Sequence, residues 1–140
     1  MSKKPSVLIV EDEIMVAMNL SYIIEDMGYE LAGIAADYET AMQYAESEFD
    51  IALVDCHLRD GVTGPKIGSE LAEKNNVSVI FVTANPQLVM NSKPSHDAIL
   101  GVCTKPMNDK QVEELVRFAV AHRLGSVATP APAGLKPLAA

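Results

Sequence analysis

The sequence predicts an α/β fold: a five-stranded parallel sheet with helices on both faces. Three observations carry this. Five short runs rich in Val, Ile and Leu recur along the chain, each as long as a strand buried on both faces. Between them lie stretches whose apolar residues fall at helical spacing. The two kinds alternate, which makes successive strands parallel and their crossovers right-handed. With 140 residues, 49% of them apolar, the chain suffices for one domain with a sizeable core.

The first strand is "VLIV" (7–10), bounded by Ser6 and Glu11. "EIMVAMNLSYIIEDM" (13–27) is the first helix. Val16, Leu20, Ile23 and Met27 make its stripe, and Gly28 stands where a C-terminal cap belongs. "ELAGIA" (30–35) is a weaker second strand. "DYETAMQYAESE" (37–48) follows as a helix, with Asp37 a candidate N-cap. "IALVD" (51–55) is the third strand and "CHLRDGVTG" (56–64) a polar, glycine-bearing loop. "PKIGSELAEKN" (65–75) opens with a proline suited to a first helical turn. "VSVIFVT" (77–83) is the fourth strand, and "PQLVMNS" (86–92) a short helix broken before Pro94. "AILGVCT" (98–104) is the fifth strand. The last helix is "NDKQVEELVRFAVAHRL" (108–124), with Asn108 as N-cap and Val112, Leu115, Val116 and Ala119 as its stripe. Residues 1–124 thus make the domain. Residues 125–140, "GSVATPAPAGLKPLAA", are Pro/Ala-rich, almost uncharged and without period, which predicts a disordered tail. Its prolines argue against a docked terminal helix.

A net charge of −8 argues against nucleic acid and anionic membranes as direct partners. Tryptophan is absent and aromatics are few, so a surface for stacking bases is not expected. The balance suits cations or basic protein surfaces. Cys56 and Cys103 lie beside apolar runs without a redox spacing and read as reduced thiols. The opening "MSKKPSVLIVEDE" has too short an apolar run for a signal peptide or a membrane span, so a cytoplasmic protein is expected.

In an open parallel sheet, sites form at the carboxyl ends of strands. The first strand ends in Glu11-Asp12-Glu13, the third in Asp55, the fourth in Thr83 and the fifth in Lys105-Pro106. The second ends in Ala35-Ala36, with no chemistry. Singly, each has a duller reading: Asp12 as a helix N-cap, Asp55 as a turn cap, Thr83 as a strand end, Lys105 as a solvated charge. Together they bring acids, a hydroxyl and an ammonium to one rim. Two like charges about 4 Å apart repel by roughly 4 kcal/mol at an effective dielectric of about 20. Glu11, Asp12 and Asp55 are three negative charges against the one positive charge of Lys105, and a divalent cation closes the balance. All-oxygen ligands suit Mg²⁺, and His57, His96 and His122 are too scattered to compete. A carboxylate beside Mg²⁺ is a competent nucleophile toward a phosphoryl group, with Lys105 and Thr83 for its other oxygens. The product, an acyl phosphate on Asp55, would exchange one negative charge for about two.

The segments "VLIVEDE", "DIALVDCHLRDG", "VIFVTA" and "CTKP", in this order, resemble the receiver domain of two-component response regulators over about residues 5–123. The resemblance implies a (βα)5 flavodoxin-like receiver fold. It implies Asp55 as phosphoacceptor and Asp12 as direct Mg²⁺ ligand, with Glu11 acting through water. It adds the backbone carbonyl of His57 to the metal ligands. It makes Thr83 the switch hydroxyl, Lys105 the phosphate-pairing lysine and Lys105-Pro106 a cis bond. The donor would be a sensor histidine kinase or phosphotransfer protein, and the output a contact with a downstream protein target. Three departures stand out. Val102 occupies the position of an aromatic residue that turns with the threonine. Arg59 replaces a common proline, and Asp60 beside it adds a charge near the site that reads as solvated. His57 lies where side chains influence acyl-phosphate lifetime. "LRDG…G" with "VIFVTA" looks like receivers of some alphaproteobacterial stress and light pathways.

The leading reading is a stand-alone response regulator, not an enzyme in the turnover sense. The apolar, valine-bearing face of the fifth strand is compatible with a homodimer. A Mg²⁺-dependent phosphatase with an aspartate nucleophile would need a second acid two residues on, where this chain has His57. A receiver that never takes phosphate is the third reading, favoured by Val102 and opposed by the filled acidic positions.

Overall fold

A computed structural model describes residues 4–75, 77–92, 96–125 and 129–138. Its elements alternate along the chain. They are β1 (Ser6–Val10), α1 (Ile14–Asp26), β2 (Glu30–Ala35), α2 (Tyr38–Tyr44), β3 (Ile51–Val54), α3 (Gly64–Asn75), β4 (Ser78–Thr83), α4 (Pro86–Ser92), β5 (Ile99–Thr104) and α5 (Asp109–Arg123). The sheet order is β2-β1-β3-β4-β5, and every neighbouring pair is parallel. This is the parallel sheet covered on both faces that the alternation predicts, in the flavodoxin-like order that the resemblance implies. The order reverses beside β1, and ligands of such sheets bind at that switch point.

Burial explains why the strands read as continuous apolar runs. Val7, Ile9, Ile51, Leu53, Ile80 and Val82 pack with α1 and α5 on one face. Leu8, Val10, Ala52, Val54, Val79 and Phe81 pack with α2, α3 and α4 on the other. Each strand therefore needs an apolar residue at every position, not every second one. The register is level at the carboxyl rim, where Val10 pairs Val54, Val54 pairs Phe81 and Thr83 pairs Thr104. Residues just past the strand ends are thus neighbours in space.

The helix signals fall close to expectation. Asn108 and Gln111 form a reciprocal capping box at α5, and Asp37 accepts from the Thr40 amide at α2. Gly28 follows α1 with φ +87°, a left-handed position that glycine takes without strain. α2 stops at Tyr44, short of the expected 48, and β3 at Val54, one residue before Asp55. The buried stripe of α1 is Ala17, Leu20, Ile23 and Ile24, so the expected stripe is turned by part of a residue and Val16 and Met27 are half-buried. The helix break expected before Pro94 lies outside the described residues.

The expectation of a free tail is corrected for residues 129–138. Lys136 forms an antiparallel bridge with Val102, each N–H donating to the other's carbonyl at 2.9 Å. Leu135 is buried in the α1/α5 cluster, and Leu138 packs against the opposite one. The physical reason is the free edge of β5, whose unpaired backbone groups pair with Lys136 just after a turn in which the Leu135 amide donates to the Pro132 carbonyl at 3.1 Å. Residues 126–128 and 139–140 lie outside the described part. No helix among the described residues is long and apolar enough to cross a membrane.

Candidate functional site

The carboxyl rim gathers the residues expected there. Carboxylate oxygens of Glu11, Asp12 and Asp55 lie within 4.8 Å of one another. Glu11, from the end of β1, is almost fully buried, Asp55 is half-buried and Asp12 is exposed. The Lys105 ammonium, arriving from the end of β5, bonds both Glu11 and Asp55, the latter at 2.9 Å. Thr83, at the end of β4, is fully buried. Asp12, Asp55 and Lys105 border a cleft of about 440 Å³ that His57, Arg59 and Asn85 also line. A larger cavity of about 610 Å³ lies at the opposite rim, between Lys4, Glu30, Asp50 and Arg123, and holds none of the strand-end acids.

Local backbone holds the acids in place. Glu11 accepts from the amides of Asp12 and Glu13 at 3.0 and 3.2 Å, so its buried carboxylate has fixed donors. Asp55 accepts from the Cys56 amide at 2.7 Å through one oxygen and turns the other to Lys105. Gly64 lets α3 start against this strand end. A Cβ there would stand 1.9 Å from the Asp55 carbonyl oxygen, so no other residue fits without moving the backbone. The N-cap of α1 is Glu13, not Asp12, and no side chain caps it. That removes the capping explanation of Asp12 and leaves its carboxylate facing the cluster. The Lys105-Pro106 bond is cis.

The electrostatics follow from burial and pairing. Burial pushes the Glu11 carboxyl above its ordinary 4.5, against hydrogen bonds from Lys105 and the Glu13 amide. Burial opposes charge on Lys105, but its bonds to Glu11 and Asp55 prevail and hold it above 10.5. Three carboxylates against one ammonium leave an excess of negative charge at oxygen ligands, the composition that suits a hard divalent cation. Burial pushes the Cys56 and Cys103 thiols up to about 11, which makes them inert core groups.

Two features escaped the sequence reading. Asn85 donates its amide to the Thr83 hydroxyl at 3.1 Å, and that hydroxyl also bonds the buried Cys56 sulfur. The Arg59–Asp37 ion pair ties the loop after β3 to the start of α2. Asp60, expected to be a solvated charge, is exposed yet bonded to the Tyr38 amide and the Thr63 hydroxyl at 3.0 and 2.7 Å.

Known proteins with this arrangement agree among themselves. A family model described as "Response regulator receiver domain" matches residues 7–117. The phyllosphere-induced regulator PhyR of Methylorubrum extorquens is 29% identical over 116 residues, 81% of this chain and 43% of the regulator. The transcriptional regulatory protein PdtaR of Mycobacterium tuberculosis is 28% identical over 119 residues, 83% of this chain and 57% of PdtaR. The chain thus spans about half the length of these curated relatives. The solution structure of the Erythrobacter litoralis PhyR receiver domain matches with a TM-score of 0.71 at 27% identity, over 91% of this chain and 95% of that one. The Brucella abortus PhyR crystal structure matches with 0.74 at 29% identity, over 87% of this chain and 50% of that one. The sheet order, the strand-end acids and a family match running from β1 into α5 lead to one conclusion: the chain belongs to the response regulator receiver domain family.

Proposed function

We propose that Asp55 accepts a phosphoryl group, with Mg²⁺, from a phosphohistidine on a sensor histidine kinase or phosphotransfer protein, and that the protein then signals through contacts with a downstream protein. The observation that carries this is the convergence of Glu11, Asp12 and Asp55 within 4.8 Å. Lys105 stands on Asp55, and the buried Thr83 ends the neighbouring strand.

In the transfer, a carboxylate oxygen of Asp55 forms the new P–O bond as the P–N bond to the donor imidazole breaks, and the electron pair stays with the imidazole. The Asp55 oxygen bonded to the Cys56 amide stays anchored, which presents the other oxygen toward the cleft. Lys105 gives up part of its pairing with Asp55 and offsets charge on the phosphoryl oxygens. The Thr83 hydroxyl exchanges its bond to the Cys56 sulfur for one to a further phosphoryl oxygen. Glu11, Asp12, Asp55 and the backbone carbonyl of His57 would hold Mg²⁺, which when bound supplies charge compensation at the phosphoryl oxygens.

A second feature supports a protein donor. Ile14, Met15, Met18 and Tyr22 are 62, 77, 57 and 72% exposed along the outer face of α1. That helix starts one residue after Glu13, which lines the cleft. An apolar strip beside a charged pocket suits a helical partner that must deliver a phosphoryl group into it. Such donors work in the cytoplasm, so the chain that receives from them is cytoplasmic, and it is not a turnover enzyme.

Intact-mass spectrometry after incubation with acetyl phosphate or a phosphorylated kinase and Mg²⁺ is the test. The mass of one phosphoryl group should appear, and should be absent in Asp55→Asn and in EDTA. An unmodified wild-type protein under these conditions would sink the reading, and turnover of free phosphate esters would replace it with a phosphatase.

A further inference from the structure

β5 is an edge of the sheet, and an edge strand presents a row of backbone groups open to a further chain. In this protein the row meets residues 129–138, "TPAPAGLKPL". Three independent features fit that segment to the edge. The Val102 and Lys136 backbones exchange both hydrogen bonds at 2.9 Å, a full antiparallel pair. Gly101, with φ +146°, lets the Lys136 carbonyl come closer than any side chain would permit, because a Cβ there would lie 2.4 Å from that oxygen. Leu135 and Leu138 join the core clusters on the two opposite faces of the sheet, so the segment straddles β5.

We propose that the edge of β5 is a strand-addition site for an extended, leucine-anchored segment, and that residues 129–138 fill it in cis and close it to any second chain. The segment is suited to this. Pro130, Pro132 and Pro137 favour extended backbone, so little conformational freedom is lost on docking. Proline also lacks the N–H that would template a further strand, so the outer side of the bound segment does not invite one. The inference is independent of phosphoryl transfer, since it rests on β5 and residues 129–138 alone.

The test uses the full chain. Hydrogen exchange should show the Lys136 and Val102 amides protected in the wild type. In Leu135→Asp/Leu138→Asp both should exchange at least about tenfold faster, while the Val54 and Phe81 amides of the central strands keep their protection. A synthetic peptide of residues 129–138 should then shift the Gly101 and Val102 resonances saturably in the double variant and leave them unmoved in the wild type. A Lys136 amide that exchanges at the unprotected rate in the wild type overturns the proposal without any variant. So does a peptide that binds both forms equally. A wild-type dimer by sedimentation that becomes monomeric in the double variant overturns the cis assignment, because the segment would then be exchanged between copies.

Discussion

Replacing Lys105 with methionine keeps the length of the side chain and removes its charge. The ammonium bonds Glu11 and Asp55, whose side chains are 2 and 11% exposed, while its own is 19% exposed. Removing one member of a buried ion pair costs about 3–5 kcal/mol, because the remaining charge stays desolvated and unpaired. Two factors lower that figure. The cleft admits water at the Asp12 side, and the Glu11 carboxyl, already pushed up by burial, can take a proton. A loss of about 2–3 kcal/mol in EDTA is the expectation, a large share of the roughly 5–15 kcal/mol that holds a domain together. Urea denaturation followed by circular dichroism measures it, and the melting temperature should fall by about 10 °C.

Adding Mg²⁺ should reverse much of this. A cation at 100 times its Kd stabilises by about 2.7 kcal/mol. In the variant it meets an acid cluster with no ammonium in it, where the wild type already holds one. The Mg²⁺-induced gain should therefore exceed that of the wild type. Lys105→Met as stable as the wild type in EDTA would refute the pairing argument. A smaller Mg²⁺ gain in the variant would refute the idea that ammonium and cation share the same negative charge.

Other perturbations separate the remaining parts of the site. Asp12→Ala should weaken Mg²⁺ binding and slow phosphorylation at least tenfold, in the range found when a metal-site residue is lost. It should leave the metal-free melting temperature unchanged or raised, because the substitution relieves like-charge repulsion; calorimetry with and without Mg²⁺ reads both. Gly64→Ala should destabilise by about 2–3 kcal/mol in urea titrations and slow phosphorylation of Asp55, because its Cβ would collide with the Asp55 carbonyl. The Arg59 guanidinium beside Asp37 holds that carboxyl down to about 2, from an ordinary 3.8. Its contribution is complete above 3.8 and is lost as pH falls through about 2. Asp37→Asn should therefore lower the melting temperature at pH 7, and this difference should vanish near pH 2. Cys56 and Cys103, with thiols pushed up to about 11, should react with a thiol reagent at pH 8 only as fast as the protein opens, and at once in denaturant.

The strands were legible because burial on both faces forces uninterrupted apolar runs, and the site because chemistry placed just past a strand end has nowhere to go but the rim. Glu11, Asp12, Asp55, Thr83 and Lys105 are spread over 95 positions, yet the level register of β1, β3, β4 and β5 makes them neighbours. What sequence could not supply is the partner of each backbone group. The Asn85 amide on Thr83 and the Gly64 approach to Asp55 depend on turn geometry that no side-chain pattern encodes. The α1 stripe was displaced for a related reason: the small Ala17 is fully buried and Val16 only half, while a hydropathy pattern weights the larger Val16.

The segment 129–138 shows why the tail was misread and why Val102 belongs to the same question. A run of Ala, Pro and Gly has no period and little apolar area, so composition alone reads it as unable to fold. It does not need to fold; it needs an edge, and the only sequence sign of that edge's special geometry is Gly101 inside an otherwise apolar strand. Next to it, Val102 is 1% exposed and has both backbone groups committed to Lys136. Valine is stiff at χ1, so this position has no aromatic ring to swing between a buried and an exposed state. A response passing along β5 from Lys105 would reach Val102 within three residues, and there it would act on a backbone pair with Lys136. The absence of an aromatic at position 102 and the docking of the segment are thus two sides of one arrangement. Restoring tyrosine at 102 should loosen the Lys136 amide in hydrogen exchange, since a ring there has to find room against Leu138 and α4 or displace the segment. An unchanged Lys136 protection in Val102→Tyr would separate the two features.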